Sequence, residues 1–168
     1  MLRYAVFAVG MVLLAGIGLM VWVRFAPVTV LDWHTSRWMP LHLGEVDTRF
    51  TDGTCADGVS VYDNGANSLC PAVGTPQEVL SKLDAIAMAT PRTRRIAGSP
   101  DDGLITWETR SLIFGFPDYT TAQTQTIDGT TQIFVQARAR FGSSDMGVNG
   151  ARLKAWLTQI PLRYPTNP

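Results

Sequence analysis

Histidine and cysteine are scarce in this chain, with two of each among 168 residues. That scarcity excludes much site chemistry at the outset. His34 and His42 both follow closely on a long apolar N-terminal run, and no serine stands in a Gly-x-Ser-x-Gly setting. Nucleophilic catalysis by Ser or Cys, which needs an imidazole base and an orienting carboxylate, therefore has no matching set of residues. Zinc spacing is absent too: the histidines stand eight apart and Cys55 and Cys70 fifteen apart, unlike a Cys-x₂-Cys pair. Neither a phosphate-binding P-loop nor a dinucleotide fingerprint occurs, so no metal and no cofactor is expected. Asp101-Asp102 is an adjacent acidic pair, but it follows Ser-Pro and reads as a turn. Net charge is also missing. The 14 basic and 14 acidic residues cancel, which leaves no global field for nucleic acid. The balance is uneven along the chain, with nine Arg/Lys against six Asp/Glu from Pro91 onward.

What the sequence does contain begins at the N-terminus. "YAVFAVGMVLLAGIGLMVWV", residues 4–23, carries no charge and lies between Arg3 and Arg24. Twenty apolar residues at 1.5 Å per residue match a hydrocarbon core of about 30 Å. Tyr4 and Trp22 sit at the two ends, where amphipathic rings favour the interface. The run is longer than the apolar region of a cleaved signal peptide and lacks a small-residue cleavage site. Residues 1–26 are expected to be an uncleaved transmembrane signal anchor, with the lipid bilayer as partner. Arg3 favours a cytoplasmic N-terminus, while Arg24 and Arg37 nearly balance it. The cysteines bear on sidedness. They lie in a Gly-, Asp- and Asn-rich stretch, where a bridge would stabilise a poorly packed loop and would require an oxidising compartment. The expected location is the periplasmic side of a bacterial inner membrane. The alternative is two unpaired thiols.

Residues 27–74 read as a juxtamembrane segment with Trp33 and Trp38, followed by a turn-rich loop with one short hairpin around Val59 to Tyr62. Residues 75–168 read as the folded domain. Thr75, Pro76 and Glu78 make a capping box with proline at the first helical position. Val79, Leu80, Leu83, Ile86 and Ala87 form one apolar stripe, and Pro91 ends the helix. Strands are expected at 103–116, 119–127 and 130–141, the last two joined by an Asp128-Gly129 turn. In the last strand Ile133, Val135, Ala137, Ala139 and Phe141 should face the core. A final helix carries Leu153, Trp156, Leu157 and Ile160, and Pro161 stops it. The expected fold is α+β: a transmembrane helix, then a three-strand antiparallel meander with possible short strands, packed on one face by two helices.

Two segments carry a resemblance. "PRTRRIAGSPDDGLITWETRSLIFGFPDYTT" and "ARARFGSSDMGVNGARLKAWL" are similar to the domain-of-unknown-function family numbered 1499, over roughly Thr75 to Ile160. Its pattern has a Phe-Pro-Asp corner after one strand, then Arg-x-Arg-x-Gly-x-Ser-Asp-x-Gly-Val-Asn before a final helix. This chain departs at Gly150, where many members carry Arg or Lys. Its cysteine region also has no counterpart in the pattern. The resemblance implies bacterial or plastid envelope proteins, often membrane-anchored, and implies no reaction.

The residues to watch are arginines. Arg138 and Arg140 should project from one sheet face about 7 Å apart, with Arg110 on a neighbouring strand beside Phe114 and Phe116. Arginine forks suit carboxylate or phosphate, and the nearby start of the last helix would favour an anion. An anionic lipid, a small anion or an acidic partner segment could dock there. The competing reading is a solvated polar face whose arginines pair with Asp118 or Asp145, each pair worth about 0–1 kcal/mol. Asn149 is expected to cap the final helix, with Asp145 binding loop amides or clamping an arginine. The leading expectation is a binding or accessory module without catalysis, a role that a small subunit of an inner-membrane complex would fit. The alternative is an enzyme in which Arg110, Arg138 and Arg140 hold an anionic substrate and Asp145 is the general acid or base.

Overall fold

The computed structural model describes residues 1–35 and 54–162, so the expectations on Arg37, Trp38 and His42 lie outside the described residues. The chain runs through helix α1 (Leu2–Phe25), a one-turn helix α2 (Val30–Trp33) and a 3₁₀ turn (Cys55–Gly58). Strands β1 (Ser60–Tyr62) and β2 (Gly65–Ala72) precede helix α3 (Pro76–Ala89). Strands β3 (Thr93–Ser99), β4 (Leu104–Arg110), β5 (Pro117–Ile127) and β6 (Thr130–Ala139) then lead to helix α4 (Val148–Leu157). The fold is α+β, and all six strands form one antiparallel sheet in the order β1-β2-β6-β5-β4-β3.

Local chemistry explains the elements that the sequence made legible. Thr75 Oγ1 accepts from the Glu78 amide at 3.3 Å, and Glu78 Oε2 accepts from the Thr75 amide at 2.8 Å. This closes the capping box at the start of α3. Asp128 and Gly129 take φ of 48° and 73°, as a two-residue hairpin turn requires, and Ile127 pairs with Thr130. The buried stripe of α3 packs with Leu153, Trp156, Leu157 and Ile160 over Ile105, Trp107, Ala122, Ile133, Val135 and Ala137 of the sheet. Fully burying a side chain such as Leu80 or Leu83 stabilises by about 1.5–3 kcal/mol. Asp84 is the polar member of this core. Its carboxylate accepts from Trp107 Nε1 and from Arg95, each at 2.8 Å, which pins α3 to β3 and β4.

Two strands had not been expected. The stretch 51–74, expected as loop with one short hairpin, supplies β1 and β2, and β2 lies inside the sheet. Its sequence, "GANSLCPA", has no β-branched or aromatic residue to mark it. Pro71 is tolerated because β1 pairs only as far as Asn67, which leaves a local edge beside the proline. β3, "TRRIAGS", hides behind two adjacent arginines and a register slip between Arg95 and Ala97. The strand expected at 103–116 ends earlier, at Arg110. Beyond it, the Ser111 amide donates to the Phe116 carbonyl and the Phe116 amide to Ser111 Oγ, both at 2.9 Å, and Gly115 takes φ of 72°. These bonds close a loop, so Phe114 and Phe116 do not continue the strand face of Arg110. β6 likewise ends at Ala139, and Phe141 turns away from the core to meet Trp22 at 5.7 Å.

Cys55 and Cys70 form a disulfide between the 3₁₀ turn and β2, both side chains fully buried. Closing a loop across a separation of 15 residues is worth about 3 kcal/mol in the chain-entropy description. Reduction, or Cys55→Ser with Cys70→Ser, should lower the unfolding free energy by about that amount. Urea denaturation of the full chain in mild detergent, with and without reductant, measures it. An unchanged midpoint would contradict a structural role for the bridge.

Candidate functional site

The sheet has two differently used faces. One carries α3 and α4. The other holds the arginines, because Glu108, Tyr119 and Arg138 lie opposite one another across β4, β5 and β6. Arg110 pairs with Pro117, and the Arg140 amide donates to the Pro117 carbonyl, so both belong to the next row on that same face. Arg138 and Arg140 therefore share a face, as expected, and Arg110 lies on that face too but not on the neighbouring strand expected for it. β5 separates Arg110 from the other two, a step of about 10 Å over two inter-strand spacings.

Each arginine has a partner within the chain. Arg110 donates to Glu108 Oε1 at 2.7 Å and to the Gly115 carbonyl at 3.0 Å. Glu108 is almost fully buried and also accepts from Arg94 at 2.5 Å. Arg138 lies over the Trp33 ring at 5.0 Å, and burial pushes its guanidinium below the ordinary value. Arg140 reaches the C-terminal end of α1, donating to the Pro27 carbonyl at 2.7 Å and to the Ala26 carbonyl at 3.4 Å. The end of a helix presents unsatisfied carbonyls and partial negative charge, so a guanidinium fits there. The joint extends further. Trp33 packs on Tyr119 with ring centres 4.1 Å apart, and its carbonyl accepts from Thr121 Oγ1 at 2.8 Å. His34 Nδ1 and Thr106 Oγ1 share a hydrogen bond at 3.0 Å.

The corner before α4 is built differently from expectation. Gly147, not Asn149, is the N-cap residue, while Asp145 binds amides of its own loop as expected: its two carboxylate oxygens accept from the Gly147 amide at 2.8 Å and the Asn149 amide at 3.0 Å. Asn149 is already inside the helix, at its second position, and fully buried. Met146 and Gly147 take φ of 55° and 78° to make the turn. The general acid or base role weighed for Asp145 has no support in this geometry, because its oxygens are engaged by backbone amides. Gly150 faces Val61 of β1, where an added Cβ would come within 2.7 Å. Close helix–strand approach accounts for glycine there.

Asn149 opens onto a group that sequence reasoning missed. Its Oδ1 accepts from Arg152, and Arg152 in turn approaches Asp118 Oδ2 at 3.4 Å. Arg152 is mostly buried and lies over Trp156 at 5.9 Å. Asn149 also lies beside the Asp118 carboxylate, and Arg152 Nε is a buried donor with no acceptor among the described residues. Beside this cluster lies a cleft of about 730 Å³ between the end of α3, the start of β3, the end of β4 and α4. Ile86, Leu112 and Trp156 supply apolar walls, Arg92 and the Arg152–Asp118 pair supply charged groups, and Arg110 borders the cleft with its guanidinium held on the other sheet face by Glu108. Arg92 holds φ of 62°, and its Nε donates to the Arg110 carbonyl at 3.0 Å. A signal was present in the sequence: Asn149, Arg152 and Trp156, spaced three and four apart, share one helix face.

Phe-Pro-Asp and the segment ending in Val-Asn thus meet through Asp118, Asn149 and Arg152. A family model described as "Protein of unknown function (DUF1499)" matches residues 54–160, well over half the chain. The chain belongs to this family. DUF1499 in this chain spans the 3₁₀ turn, the whole sheet, α3 and α4, and it excludes α1 and α2. No curated protein and no solved structure matches the chain.

Two measurements test these contacts. Arg140→Met should leave the sheet intact while amides between Val28 and Trp33 exchange faster; unchanged exchange there would show that the joint does not depend on Arg140. The second concerns Asp118, whose carboxyl burial raises above 3.8, the charge of Arg152 only partly offsetting it. The folded chain then holds a proton that the unfolded chain has released, so this group's contribution to stability falls as pH rises from 3.8 through the raised value. Asp118→Asn removes that slope. Measured across mildly acidic pH, the unfolding free energy of the variant should gain on that of the parent as pH rises, and parallel curves would refute the assignment.

Proposed function

We propose that the chain is a membrane-anchored binding module on the extracytoplasmic side, in a bacterium the periplasmic face of the inner membrane, without catalysis of its own. The observation that carries the reading is the cleft beside Trp156. A volume of about 730 Å³ with mainly apolar walls, Arg92 at its rim and Arg152 at its base suits a small amphiphile bearing a phosphate or carboxylate head. The disulfide fits an oxidising compartment. α1 is long and apolar enough to cross a membrane, and only its end is buried by the domain. The bonds from Arg140 to the Ala26 and Pro27 carbonyls fit a helix that stays with the domain rather than a leader that is removed.

The cleft reading is testable with simple probes. Octyl phosphate titrated into the full chain in neutral-lipid nanodiscs should change tryptophan fluorescence saturably, whereas octyltrimethylammonium should not. Arg92→Asn suits the test, because asparagine tolerates the left-handed backbone at φ of 62° and so removes charge without adding strain. Its affinity for octyl phosphate should fall about tenfold, equivalent to roughly 1.4 kcal/mol. Equal response to both headgroups would sink the proposal.

A further inference from the structure

The closed loop between β4 and β5, residues 111–116, presents three consecutive apolar side chains to solvent: Leu112, Ile113 and Phe114, 71%, 66% and 50% exposed. A run of this kind on an exposed loop marks an interaction surface rather than core. Its neighbours say which. Arg24 Nη2 donates to the Ile113 carbonyl at 3.5 Å, and a Cβ added at Gly115 would lie 3.1 Å from Arg24 Cγ. The loop therefore sits against the last turn of α1. An aromatic line joins the two: Phe114 to Phe116 at 5.6 Å, Phe116 to Phe141 at 6.1 Å, and Phe141 to Trp22 at 5.7 Å.

Depth follows from helix geometry. Tyr4 to Arg24 is twenty residues, about 30 Å of helix and the thickness of a hydrocarbon core. With Tyr4 at one interface, Arg24 reaches the other, and the loop touching Arg24 lies at the same level. We infer that Leu112, Ile113 and Phe114 form a second membrane contact, seated in the boundary between headgroups and acyl chains on the side that carries the domain. Lipid is the occupant because the loop is continuous with the lipid-facing surface of α1, where Trp22 and Phe25 are exposed. Arg24 fits as well, its stem lying along the loop while its charged head can reach headgroups. The seat works as interfacial amphipathic segments do, through apolar area placed below the headgroups. It rests on the anchor part of the proposed function and shares only Leu112 with the rim of the cleft, while Ile113 and Phe114 lie outside it.

Environment-sensitive fluorophores on single introduced cysteines test it. Ile113→Cys and Leu112→Cys report the loop. Phe25→Cys reports the anchor. Asp128→Cys, at the far hairpin about 30 Å along β5, reports the distal end. The native cysteines are bridged and do not take the label. Each full-length variant is reconstituted in neutral vesicles containing a lipid with a nitroxide near the top of its acyl chain. The expected result is loss of most fluorescence at positions 112, 113 and 25, and none at 128. Quenching at 25 with none at 112 or 113 overturns the loop seat and leaves the anchor standing. No quenching at 25 overturns both.

Discussion

Arg140 makes the contact on which the placement of everything else depends. Its guanidinium takes the carbonyls of Ala26 and Pro27 at the end of a helix suited to lipid, while its backbone sits just past β6, a strand near the middle of the sheet. Trp22 against Phe141, Trp33 on Tyr119 and Thr121 on the Trp33 carbonyl repeat the same connection along α1 and α2. A helix joined to a domain by a free linker would leave the sheet face wet and its arginines solvated. Here the face that the two packed helices leave open is covered in part by the chain's own N-terminal segment. The positively charged groups that looked like an anion site are largely the means of that cover.

The charge with an unusual setting lies on the opposite side of the corner. Asp118, Asn149 and Arg152 bring together the Phe-Pro-Asp turn, the capped loop and α4, and one buried donor there, Arg152 Nε, has no acceptor among the described residues. Burial raises the carboxyl of Asp118 and lowers the guanidinium of Arg152, so each charge is held at a cost that the pairing only partly offsets. Such a group next to an arginine-lined cleft is the most chemically distinctive part of the domain. It is also where the two family segments converge.

The legible parts of the fold were those where one physical rule acts alone. α3 was marked by its capping box and stripe, α4 by the spacing of Leu153, Trp156 and Leu157, and the β5–β6 hairpin by Asp128-Gly129. β2 and β3 were not legible because tertiary pairing overrides their composition: Pro71 sits at a local edge, and Arg94 and Arg95 find Glu108 and Asp84 only after folding. The candidate site shows the same division. Sequence periodicity placed Arg138 and Arg140 on one face, but their partners lie more than a hundred residues away in the chain. Arg152 escaped notice because its meaning comes from Asp118, 34 residues earlier, on another element.

The borders of the sheet carry a consequence for the membrane anchoring proposed above. β1 is three residues long, and β3 carries two arginines and a register slip. Short, charged and bulged edges resist strand addition by a neighbour. Tethering confines molecules to two dimensions and lets identical edges meet repeatedly in similar orientation, which is the arrangement that most invites sheet-to-sheet polymerisation. In the anchored state proposed above, blunt borders would disfavour such pairing between neighbouring copies.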